Sequence, residues 1–124
     1  IMSEEKLIGN IIKQVRKHLK LSQNNFGAKL NVSGSFISAV ERGEKILTED
    51  KLTFIIEEFD IPNILSSKIK SYNLIKSPKF IMEISNETDW NKRKLAYLFS
   101  KKLNSISQDT VEKIAILLNT DKGN

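Results

Sequence analysis

Residues 21–43 read LSQNNFGAKLNVSGSFISAVERG, and their pattern is that of two short helices joined by a tight turn. Ser22 is placed to cap a first helix whose apolar positions, Phe26 and Leu30, lie one turn apart. Asn31 and Val32 interrupt the repeat. Ser33 is placed to cap a second helix, in which Phe36, Ile37 and Val40 recur at helical spacing. Gly43 stands where a left-handed residue would end that helix. Helices this short bury little alone and must cross closely, so Gly27 and Ala28 are expected to supply backbone clearance. This geometry can lay one helix in the major groove of DNA.

Amphipathic segments flank the pair. A first helix is expected from Ser3, with Glu4 and Glu5 facing the positive end of its dipole and a buried stripe of Ile8, Ile12, Val15 and Leu19, with Ile11 beside it. Thr48 should cap a fourth helix, whose core face is Leu52, Ile55, Ile56 and Phe59. Pro62 suits the first turn of a fifth, carrying Ile64, Leu65 and Ile69. Residues 68–79 hold four lysines and no acid, and read with their serines and Pro78 as a linker. Residues 80–84 are expected to be extended. Beyond a polar cluster at 85–89, a helix is predicted over 90–104, carrying Leu95, Ala96, Leu98, Phe99 and Leu103, and another after Ser107.

The quoted stretch resembles the lambda-repressor/Cro-type helix-turn-helix domain of the XRE family. The likeness rests on Ser22-Gln23, Gly27, Leu30, Val32-Ser33, Ile37-Ser38, Val40 and Glu41-Arg42-Gly43. It extends upstream through Ile8-Gly9, Ile12, Val15 and Arg16, and downstream through Leu52, Ile55, Phe59 and Ile61. It implies an all-α fold: a five-helix DNA-binding domain over residues 1–66, a basic linker over 67–85, and a two-helix segment over 86–124. The function implied is that of a sequence-specific transcriptional regulator, a repressor, encoded by a prokaryote or phage and binding double-stranded DNA in the cytoplasm. The resemblance also makes Gln23 a phosphate-binding residue at a helix N-terminus, where the dipole favours an anion. Asn24 is a neighbouring candidate. Arg42 and Lys45, with Lys17 and Lys20, are expected to clamp the DNA backbone. Arg16 and Glu41 fall where the family has a buried salt bridge, a structural pair rather than an acid and base.

The groove-facing positions should be Ser33, Gly34, Ser35, Phe36, Ser38 and Ala39. None is Arg, Lys, Gln or Asn, the side chains that hydrogen-bond base edges bidentately. Serines at 35 and 38 offer single hydrogen bonds, while Phe36 and Ala39 could meet thymine methyls. Such a surface leans on DNA shape for specificity.

Composition narrows the remaining possibilities. The 124 residues contain no cysteine and one histidine, His18, leaving no disulfide, thiolate metal site or catalytic triad. No enzyme, metal or cofactor is therefore expected, and no apolar run is long enough to span a bilayer. Ile1 ahead of Met2 reads as a remnant of cloning, and the acidic start carries no signal-peptide pattern. Net charge is +5, unevenly spread: residues 1–47 carry eight basic and four acidic side chains, residues 48–61 one and five. DNA should approach the first segment only.

The last helices carry a second expected role. Residues 114–118 are apolar nearly all round, which one helix of a small monomer cannot bury. Trp90, Leu95, Phe99, Ile114, Leu117 and Leu118 are therefore expected at a homodimer seam. Asp89-Trp90 leading into paired helices also resembles the oligomerisation segment of sporulation- and biofilm-type repressors. Two other roles fit the same fold. One is an antitoxin or phage-type immunity regulator whose C-terminal half binds a protein partner. The other is a protein-interaction adaptor that has lost DNA binding.

Overall fold

The computed structural model describes residues 3–77, 79 and 81–123. It divides into two units, Ile1–Phe80 and Ile81–Asn124. Among the described residues there are seven α-helices and no strand.

The first unit holds α1 (Glu4–His18), α2 (Gln23–Leu30), α3 (Gly34–Glu41), α4 (Glu49–Glu58) and α5 (Asn63–Lys76). Four of these helices start by one mechanism. Ser3, Ser22, Ser33 and Thr48 have extended backbones, and each side-chain oxygen accepts from the N–H three residues on. Each such cap is worth about 1 kcal/mol. Helix α5 instead begins directly after Pro62, with no side-chain cap.

The apolar stripes converge on one core. Ile12, Val15, Phe26, Ile37, Val40, Ile55 and Ile69 are fully buried, with Ile8 and Leu52 nearly so. Helix α1 packs on α3 and α5, α2 on α3, and α4 on α5. Gly27 allows the α2–α3 crossing, because a Cβ there would sit 2.6 Å from the Val32 carbonyl oxygen. Ala28 plays no such part, since it is exposed. The turn between the two helices is made by Asn31 in the left-handed conformation (φ 61°), and Gly43 (φ 80°) turns the chain after α3.

Where the expected linker begins, the structure continues a helix. Residues 67–76 belong to α5, and Ile69 and Tyr72 lie in the core. Lysines at 68, 70 and 76 read as linker, yet all three are exposed and flank a buried stripe of Leu65, Ile69 and Tyr72. Residues 81–84 carry no regular secondary structure; Phe80, the first residue of the segment expected to be extended, lies outside the described residues, as does Pro78.

The second unit is a pair of helices, α6 (Trp90–Lys102) and α7 (Gln108–Thr120). Asp89 and Ser107 cap them. Helix α6 stops two residues short of the expected end. Arg93 donates to the Ser85 carbonyl oxygen at 3.1 Å, tying the preceding segment to α6. No residue of either helix is buried. Ala96, Phe99, Ile106 and Ile114 are half-buried, while Trp90, Leu95, Leu117 and Leu118 are largely exposed.

Candidate nucleic-acid interface

The first turns of α2 and α3 lie side by side. A Cβ on Gly34 would fall on the side chain of Asn24 and come within 3.0 Å of its Cα, so glycine here lets Asn24 lie against the start of α3. Between them opens a cleft of 320 Å³ lined by Gln23, Asn24, Gly34, Ser35, Ser38 and Arg42. All six stand among the residues expected at the DNA surface. Ser35, Ser38 and Arg42 follow one another at three- and four-residue steps, forming a single outward stripe on α3.

The remaining candidates lie elsewhere. Ser33 commits its hydroxyl to capping α3, accepting from the Phe36 N–H at 3.0 Å. Phe36 is half-buried against the hydrophobic core rather than lining the cleft. Ala39 is half-buried, and Lys45 is exposed beyond the end of α3.

Beneath the cleft runs a charged network. Arg16 donates from Nε to Glu41 Oε2 at 2.6 Å and from Nη2 to Oε1 at 3.0 Å. Its third donor, Nη1, reaches the Leu21 carbonyl oxygen at 3.0 Å. The pair is largely withdrawn from water, with side chains 14% and 5% exposed, and the Glu41 carboxylate holds the Arg16 guanidinium above its ordinary pKa. Gln23 Nε2 also donates to Glu41 Oε1, at 3.3 Å. One carboxylate therefore joins the end of α1, the end of α3 and the cleft-lining glutamine. The Arg16–Glu41 pair was legible in the sequence, whereas its branch to Gln23 depends on how α2 and α3 cross.

Two further contacts, one distant in sequence and one local, were not expected. Lys51, on α4, donates from Nζ to the Leu30 carbonyl oxygen at 2.9 Å, placing a cation at the negative end of α2. Arg42 donates from Nε and Nη2 to Glu44 Oε2, at 3.1 and 2.8 Å, and from Nη1 to Ser38 Oγ. This pairing raises the Arg42 pKa and lowers that of Glu44.

Two capped helices in contact, a glycine at their crossing, a left-handed turn between them and a polar stripe along the second define a recognisable unit. Residues 12–62 match the helix-turn-helix family model. This segment is a lambda-repressor-type helix-turn-helix domain. No curated protein and no solved structure matches the chain. Within the helix-turn-helix domain α3 is the second helix of the motif, and the cleft lies on its outward side. The match ends at residue 62, so α5, which completes the domain's core, lies outside it. Among the described residues no helix is long and apolar enough to cross a membrane.

Proposed function

We propose that this protein is a sequence-specific transcriptional regulator, a repressor, that binds a two-fold operator as a homodimer. The observation that carries the DNA-binding part is the cleft itself. Gln23, Asn24, Ser35, Ser38 and Arg42 gather hydrogen-bonding groups on one face of a helix-turn-helix domain, at the start of α2 and along α3. Free N–H groups in the first turn of α2 suit a phosphate oxygen, while α3 enters the major groove. Lys45 and Arg42 supply charge at the edge.

Dimerisation follows from the weakness of one module. Two modules set one helical turn apart, about 34 Å, add their phosphate contacts and measure half-site spacing. The α6–α7 unit is the element that would join them, since it leaves Trp90, Leu95, Leu117 and Leu118 exposed and buries none of its own residues. The same exposure favours a second reading, an antitoxin- or immunity-type regulator whose α6–α7 unit receives a protein partner. An adaptor without DNA binding is the reading that remains if the cleft reads nothing.

Selection from random duplex DNA at two salt concentrations separates these readings. A two-fold operator should emerge from the wild type and be lost in a Gln23→Ala, Lys45→Ala double variant. Affinity should fall steeply with salt, since phosphate contacts release counterions. Failure to enrich any sequence, with only weak salt-sensitive binding, would move the function to protein interaction.

A further inference from the structure

Residues 34–42, GSFISAVER, contain one side chain able to hydrogen-bond a base edge bidentately, Arg42. A position just past the end of α3 reads most simply as a backbone clamp. Its geometry says otherwise. Arg42 lies on the same outward stripe as Ser35 and Ser38, and its Nη1 donates back to Ser38 Oγ, so the guanidinium lies along α3 over the cleft.

A guanidinium has two edges that can make paired hydrogen bonds, one through Nε and Nη2, the other through Nη1 and Nη2. Glu44 Oε2 occupies the first, accepting from both Nε and Nη2. On the Nη1–Nη2 edge, Nη1 gives one of its two hydrogens to Ser38 Oγ and Nη2 gives one to Glu44, so each nitrogen keeps one hydrogen for a ligand. A phosphate needs little orientation and could be met by any mobile cation. The O6 and N7 acceptors of guanine, by contrast, demand a planar fork held at a set angle. Being more than half exposed, the Arg42–Glu44 ion pair contributes little to stability. What the pair does is align the fork, with Glu44 on its Nε–Nη2 edge and Ser38 at Nη1.

Resting on the DNA-binding reading above, we propose that Arg42 reads a guanine in each operator half-site through its Nη1–Nη2 edge, and that Glu44 is the residue that positions it. Glu44 thereby trades affinity for specificity. It repels phosphate and holds the arginine where only the correct base accepts both donors. The serine-rich helix then needs no further long polar side chain to choose a base.

Selection from random duplex DNA, followed by titration of single-base operator variants, tests this in full-length wild type, Arg42→Lys and Glu44→Gln. Helix content by circular dichroism verifies that each exposed substitution leaves the fold intact. The wild-type operator should hold one guanine per half-site whose replacement by adenine weakens binding about tenfold or more. Arg42→Lys should keep the salt slope and lose that discrimination, because an ammonium is a point charge without a fork. Glu44→Gln should bind non-specific DNA more tightly while its preference for guanine falls several-fold. Enrichment of an operator whose guanine preference survives Arg42→Lys would overturn the proposal and leave the DNA-binding reading standing. Glu44→Gln raising specific and non-specific binding equally would overturn the role of Glu44. No enrichment by wild type would overturn both the proposal and the reading beneath it.

Discussion

Arg16 and Glu41 set the cost of error at single residues. Each is a charge largely withdrawn from water, and each is tolerable because the other is present. Replacing Glu41 with alanine leaves the Arg16 guanidinium buried with only the Leu21 carbonyl oxygen and strands Gln23 at the edge of the cleft. The expected loss is about 3–5 kcal/mol, read from urea denaturation. A double replacement, Arg16→Met with Glu41→Leu, should be far milder, since it removes both charges and keeps their volume. If the double variant is as unstable as the single one, the pair contributes shape rather than charge. Gln23→Ala removes one long hydrogen bond and should cost no more than about 1 kcal/mol. A large loss of DNA affinity in that variant would therefore belong to the interface, not to folding.

At the scale of elements, α5 is the helix whose extent the sequence disguised. Its lysines and serines read as solvated linker, yet Ile69 and Tyr72 project from the opposite side into the core. Ile69→Ala should cost about 2–5 kcal/mol, whereas Leu74→Ala, at an exposed position, should cost almost nothing. Equal effects at the two sites would place the domain boundary before Ile69 after all. Tyr72 gives a third measure of the same helix. Its buried hydroxyl finds no hydrogen-bond partner among the described residues, and burial pushes its pKa up. Tyr72→Phe should therefore leave stability unchanged or raise it by up to about 1 kcal/mol. The helices of the first unit were legible because side-chain caps and 3.6-residue stripes are local signals. So were the six cleft residues, which follow one another in order along α2 and α3. Phe36 was read both as part of the apolar repeat and as groove-facing; it packs half-buried against the core, and only the crossing of α3 with its neighbours decides that. The bonds from Lys51 and Gln23 link groups far apart in sequence whose meeting depends on tertiary geometry, so spacing alone could not show them; the Arg42–Glu44 pair is local, but the two residues lie past the end of α3, where no helical spacing points to their contact.

For the whole molecule, the question is what completes α6 and α7. Two helices of 13 residues that bury none of their side chains gain little to offset the entropy of ordering them. Largely exposed Leu95, Leu117 and Leu118 are the groups whose burial would supply that gain. A second copy would satisfy this need and also deliver the two-fold arrangement that the proposed operator requires. Sedimentation of the full chain should therefore show a dimer, and its melting temperature should rise with protein concentration. Leu95→Glu with Leu117→Glu places four carboxylates in the seam of a two-fold dimer and should yield monomers whose first unit still melts cooperatively. Those monomers should bind an isolated half-site as the wild type does. On the two-fold operator they should lose about 10²–10⁴-fold in affinity, because the second contact is no longer intramolecular. Wild-type chains that sediment as monomers, while still selecting one DNA sequence, would assign α6 and α7 to a protein partner instead.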